Sequence, residues 1–121
     1  MLNLDTHILI DIMIGHLTPK EEKLIRNNPW SISSIVLWEL HKLNQIGRIE
    51  IDFNDHEIKK FLNVLHIHQI DLNILNALEN LDFKSDPADE IIAATSLHHK
   101  IPLITRDEKI RKSKVVPIAK T

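Results

Sequence analysis

Apolar residues in this chain fall in short runs, and the period between them changes from run to run, which separates strands from helices. The runs at 2–5, 30–33 and 102–105 are brief and bounded by polar residues, as short buried strands are. "SIVLWELHKLNQI" has helical spacing instead. At about 100° per residue, Ile35, Val36, Leu40, Leu43 and Ile46 share one broad arc, so a helix is predicted over 35–46. Ser33 or Ser34 can cap its start, and Gly47 suits its end. The same reading predicts helices over 7–13, 20–27, 55–65, 72–81 and 87–99, with a polar turn at 15–19. Further extended pieces fall at 49–51 and 67–71, and a last strand at 114–118 follows a short basic turn. Strands joined through helices imply right-handed crossovers and a mainly parallel sheet in an α/β sandwich, whose ligand sites lie at the carboxyl ends of the strands.

Length narrows this to a single domain over 1–121, because 121 residues at 43% hydrophobic supply one core and not two. No repeat, linker or low-complexity tract interrupts it. Charge interrupts every apolar stretch well short of the ~20 residues that cross a bilayer, and the N-terminus lacks a basic region and a cleavage site. A soluble, cytoplasmic protein with no membrane association is therefore expected. The absence of cysteine excludes disulfides, thiolate zinc sites and a thiol nucleophile. A net charge of −2 hides an asymmetry: residues 100–121 carry +5 and residues 1–99 carry −7. The basic charge thus gathers beside Asp107, where it can meet phosphate or simply be solvated.

Each of several carboxylates has a structural explanation of its own. Asp5 ends the first strand and can cap the following helix, and Asp107 ends "PLITRD" in the same way. In "DPAD", Asp86 suits the N-cap, Pro87 the first helical position and Asp89 the acid of a capping box. Glu39 differs, because it lies inside the apolar arc of its helix, where a carboxylate is costly unless paired, protonated or bound to a cation. Capping explains these acids one by one, whereas convergence explains them together. If the strands of Asp5 and Asp107 are neighbours, four carboxylates meet in one cleft and must take up protons or hold a cation. Oxygen-only donors favour a hard ion, Mg²⁺ or Mn²⁺.

"LDTHILI" at 4–10, "SSIVLWEL" at 33–40, "DPADEIIAAT" at 86–95 and "PLITRD" at 102–107 resemble the four acidic motifs of PIN-domain ribonucleases. In size and spacing the chain is most similar to VapC-type toxins of type II toxin–antitoxin pairs, from Leu4 to about Ala119. The resemblance implies a PIN-like three-layer α/β/α sandwich and a Mg²⁺- or Mn²⁺-dependent endoribonuclease, with Asp5, Glu39, Asp89 and Asp107 as the catalytic acids. Asp5, Asp89 and Asp107 would be the metal ligands, and Glu39 would ligate or act as a base. Thr6, Thr105 and Asp86 would support them, and Arg106, Lys109, Arg111 and Lys112 would meet the RNA backbone. It also implies a cognate protein antitoxin and a homodimer, for which apolar helices around Ile12 to Leu17 and Trp38 offer a surface. One position departs from the pattern: the family often has a basic residue after the third acid, where this chain has Glu90.

Other features rank below this reading. His66 and His68 would share a strand face and His98 and His99 end a helix, but no third ligand stands at an obvious spacing for zinc. Trp30 and Trp38 read as core or interface residues, and five aromatics in all leave little for base stacking. Two other classes compete: an inactive PIN-like interaction scaffold whose acids only cap helices, and a receiver-like domain phosphorylated on a strand-end Asp. The second expects a Lys at the end of a late strand, where this chain has Arg106 and Asp107.

Overall fold

A computed structural model describes residues 1–121. Four short strands, β1 (Leu2–Leu4), β2 (Trp30–Ser33), β3 (His66–His68) and β4 (Leu103–Ile104), form one parallel sheet in the order β3-β2-β1-β4. Between them run α1 (Thr6–Ile14), α2 (Pro19–Asn27), α3 (Ser34–Gln45), α4 (His56–Asn63), α5 (Leu72–Ala77) and α6 (Pro87–His99), with α7 (Glu108–Arg111) after β4. β1 is central, with Asn3 in register with Ser31 on one side and Leu103 on the other.

Both faces of β1 are buried. Leu2 and Leu4 point to one side, into a cluster that includes Ile8, Leu9, Ile32, Val36, Leu40 and Ile104. Asn3 points to the other, where its amide donates to the Ile92 carbonyl at 3.1 Å and to Ser96 Oγ at 2.9 Å on α6. Those two bonds tie the middle of α6 to the central strand. A smaller cluster of Ile74, Ala77 and Ala94 packs α5 against α6, and no helix is long and apolar enough to cross a membrane.

Local chemistry sets the element ends. Ser33, rather than Ser34, caps α3 by accepting the Ile35 N–H, and Gly47, at φ 77°, turns the chain so that Arg48 N–H reaches the Leu43 carbonyl. Three sequence expectations are corrected. Residues 49–51 form no strand, because Ile51 N–H is taken by the Asn44 side chain at 3.0 Å. The predicted strand at 114–118 shrinks to one bridge between Leu103 and Ile118. There Asp82 holds Ser113 Oγ at 2.6 Å and Lys114 N–H at 2.7 Å in a turn, and Pro117 has no N–H to give. The helix over 72–81 keeps α geometry only to Ala77 and tightens into a 3₁₀ turn at Leu78–Asn80.

Candidate functional site

Three carboxylates from three elements meet beyond the carboxyl end of β1. Asp5 follows the strand, Glu39 lies midway along α3, and Asp89 stands in the first turn of α6; one oxygen from each lies within 4.8 Å of the others. Asp5 is buried and the other two are half-buried.

A side-chain hydroxyl fixes each of the three. Thr105 Oγ1 donates to Asp5 Oδ2 at 2.6 Å, and Thr6 N–H donates to Asp5 Oδ1 at 2.8 Å, so Asp5 also caps α1. The Thr6 hydroxyl donates to Glu39 Oε1. Ser85 Oγ donates to Asp89 Oδ2 at 3.0 Å. Asp89 therefore does not close a capping box; Asp86 alone caps α6, accepting Asp89 N–H at 3.0 Å. Glu90 reaches back in its place, accepting Ser85 N–H at 3.0 Å. The residue that departs from the family pattern thus anchors the loop that carries Ser85.

Crowding shows in the acidities. Burial pushes the Glu39 carboxyl above the usual range, against the Thr6 hydrogen bond, and the charges of Asp5 and Asp86 add to the rise while His7 opposes it. Burial likewise pushes Asp89 up to about 7, with Ser85 opposing and Asp5 and Asp86 adding. This sets a stability test. Between the ordinary value of 3.8 and about 7, folded Asp89 keeps a proton that the unfolded chain has lost, so stability falls as pH rises through that window. In EDTA, Asp89→Asn is expected to flatten this dependence and to exceed the parent at pH 8 by on the order of 1–2 kcal/mol, after solvent screening. Urea unfolding at pH 5 and 8 measures it; a parent whose stability rises with pH in EDTA contradicts it.

The remaining predicted residues lie around this trio. Asp107 stands outside the 4.8 Å group. Its Oδ1 caps α7 by accepting from Lys109 N–H at 2.9 Å and Ile110 N–H at 3.2 Å, while Oδ2 bonds nothing. Its own N–H donates to Thr105 Oγ1 at 3.1 Å, which links it to Asp5 through one hydroxyl. Lys109 and Lys112 are exposed, and Arg111 turns inward to the Thr105 carbonyl at 3.3 Å and Thr121 Oγ1 at 2.9 Å. Arg106 is already paired. Its guanidinium forks onto Glu21 at 2.9 and 2.6 Å and pairs with Asp11, so two carboxylates already claim the residue expected to meet the RNA backbone. Sequence reasoning missed Ser85 and Glu21. The position of Ser85 directly before an N-cap Asp was the available signal for one; nothing local to "PKEEK" marked the other.

A family model described as "PIN domain" matches residues 3–115. Comparison with curated proteins returns no match. Among solved structures the fold is similar to VapBC2 from Rickettsia felis bound to a promoter DNA fragment, at TM-score 0.73 and 20% identity, covering 98% of each chain. It is also similar to a toxin–antitoxin complex from Klebsiella pneumoniae, at TM-score 0.68 and 24% identity over 93% of this chain and 91% of that one. FitAcB from Neisseria gonorrhoeae gives TM-score 0.67 at 18% identity, covering 99% and 97%.

Proposed function

The chain belongs to the PIN-domain family, and from that premise we propose that it is a Mg²⁺- or Mn²⁺-dependent endoribonuclease acting as the toxin of a toxin–antitoxin pair. The observation that carries the reading is the meeting of Asp5, Glu39 and Asp89 within 4.8 Å, with the pKa values of Glu39 and Asp89 raised by burial and by the nearby charges of Asp5 and Asp86. Such a donor set fits a hard divalent cation: it is all oxygen, it repels itself when ionised, and each member is steered by a hydroxyl. Asp5, Asp89 and Asp107 would hold the cation. When bound, the cation supplies Lewis acidity, which makes a water more acidic and offsets charge on the phosphodiester.

The chain's own groups do the rest. Thr105 keeps Asp5 oriented, and Thr6 does the same for Glu39. Glu39, whose pKa is raised by burial, is suited to accept a proton from an attacking water and to release it again. Lys109 and Lys112 are exposed beside the cleft on the basic segment and would contact phosphates. Replacing both by Ala is expected to lower the slope of log affinity against log salt by ~0.7 per lost contact for single-stranded RNA. Fluorescence anisotropy across a salt series reads this, and an unchanged slope removes both lysines from the interface.

A cognate antitoxin, a homodimer and a cytoplasmic location belong to the same proposal. The similar structures from K. pneumoniae and R. felis are of toxin–antitoxin and VapBC assemblies, and this chain exposes the apolar side chains of Ile14 (56%) and Trp38 (54%), which a partner would cover. The deciding experiment is cleavage of a mixed cellular RNA pool by the purified chain with Mg²⁺, Mn²⁺ or EDTA. Cutting that requires the metal supports the reading; no cutting of any RNA with either ion returns the acids to helix capping and the domain to a scaffold.

A further inference from the structure

The acids occupy one end of α6, and a second group of titratable side chains gathers at the other. His98 and His99 close α6, while His66 and His68 share one face of the edge strand β3. Ring centres lie 4.7 Å apart for His66 and His68, 4.6 Å for His68 and His99, and 4.9 Å for His98 and His99. Two imidazoles on one tetrahedral ion, with metal–nitrogen bonds of about 2 Å, have ring centres about 5 Å apart. The fold thus lines up four rings in a row, each within 4.9 Å of the next, which their spacing along the chain conceals. The planes meet at 68°, 30° and 70° and no three ring nitrogens lie as close together as the three carboxylates do, so ligation requires the exposed rings of His66, His98 and His99 to turn about their side-chain torsions.

His68 is the prepared member. The single hydrogen of the Ser31 hydroxyl goes to the Leu2 carbonyl at 2.8 Å, so Ser31 Oγ must accept from His68 Nε2, also at 2.8 Å. The proton is therefore on Nε2, and Nδ1 keeps its lone pair. Metal-binding histidines are oriented in this way, through a hydrogen bond from the ring nitrogen that does not ligate. Burial, with His99 and His66 alongside, also holds the His68 imidazole down to about 4, so it is in the neutral, ligating form at neutral pH.

We propose that His66, His68, His98 and His99 form a second cation site, for a borderline transition ion of which Zn²⁺ is the first case, tying the end of α6 to β3. Ten residues of helix separate His99 from Asp89, about 15 Å along the axis. Donor type separates the two sites as well, since imidazoles select Zn²⁺, Ni²⁺ or Cu²⁺ and carboxylates select Mg²⁺ or Mn²⁺. The site does not depend on the proposed reaction.

The test is calorimetric titration of the full chain, carrying no histidine tag, with Zn²⁺ in excess Mg²⁺, and in parallel the visible absorption of bound Co²⁺. One ion per chain is expected, with affinity reduced about tenfold or more by His66→Gln or His99→Gln and abolished in the double variant, and unchanged in Asp5→Asn. Both histidines are exposed, so the variants keep the fold, and far-UV circular dichroism checks this. Binding that survives the double variant, or that vanishes in Asp5→Asn, overturns the proposal, because the ion then belongs to the acids or to no site at all.

Discussion

Asp5→Asn is expected to reduce metal-dependent RNA cleavage by on the order of 10²-fold or more, because it removes a carboxylate that would hold the cation, while leaving the fold intact. Asn keeps the shape of the side chain and an oxygen to accept from Thr6 N–H or from the Thr105 hydroxyl, so the α1 cap survives. What it removes is the charge at the centre of the trio. Without that charge the site loses the one donor among the three that is buried and flanked by two hydrogen bonds. Burial and the Asp86 charge still act on Glu39 and Asp89, but the repulsion from Asp5 is gone, so both carboxyls are expected to relax downward. Cleavage assays and carboxyl titration by NMR read the two effects separately. Full activity in the variant would remove Asp5 from the chemistry, whatever the metal dependence of the parent.

Arg106→Ala is expected to be the most damaging change for stability outside the apolar core. Glu21 has a side chain only 4% exposed, and both its oxygens are held by this one guanidinium. Removing the partner leaves a buried carboxylate, which typically costs 3 to 5 kcal/mol; Arg106 is itself 40% exposed, so water compensates in part and about 2 to 3 kcal/mol is expected. At roughly 4 °C per kcal/mol this is a fall of about 10 °C in Tm. The Arg106 hydrogen bond holds the Glu21 carboxyl below its usual range, so the pair contributes above the ordinary value of 4.5 and its contribution is lost as pH falls through the lowered folded value. Parent and variant are therefore expected to converge in acid. Glu21→Gln in the Arg106→Ala background keeps the Thr18 capping box and discards the buried charge, so it should recover much of the loss. No recovery would show that packing of the arginine stem, and not its charge, carries the effect.

The strand ends and the long helices were legible because their signals are local. The apolar arc of α3 already set Glu39 among buried residues, and "DPAD" already marked the start of α6. Family motifs then named Asp5 and Asp89, and the fold places both in one cluster with Glu39. What was not legible depended on partners far along the chain. Arg106 sits in a basic segment, and only the packing of α1 and α2 beneath it reveals that Asp11 and Glu21 claim it. The last strand read as apolar and extended, yet the Asp82 side chain, 31 residues from Ser113, turns it away after a single bridge. His66 with His68 and His98 with His99 each looked like an isolated pair until β3 and α6 were placed side by side.

The order of the strands also carries a consequence for how the protein comes into being. The central strand is the first one made, and its partner β4 is the last, so the Thr105 hydroxyl that orients Asp5 arrives 100 residues after it. Synthesis runs from the N-terminus, and early segments begin to organise while later ones are still missing. A nascent chain can therefore build α1 and α3 and bring Asp5 near Glu39, yet it lacks Asp89 and the clamp on Asp5 until most of its length has emerged. For the ribonuclease proposed above, this topology delays assembly of the acidic cluster until most of its own template has been translated.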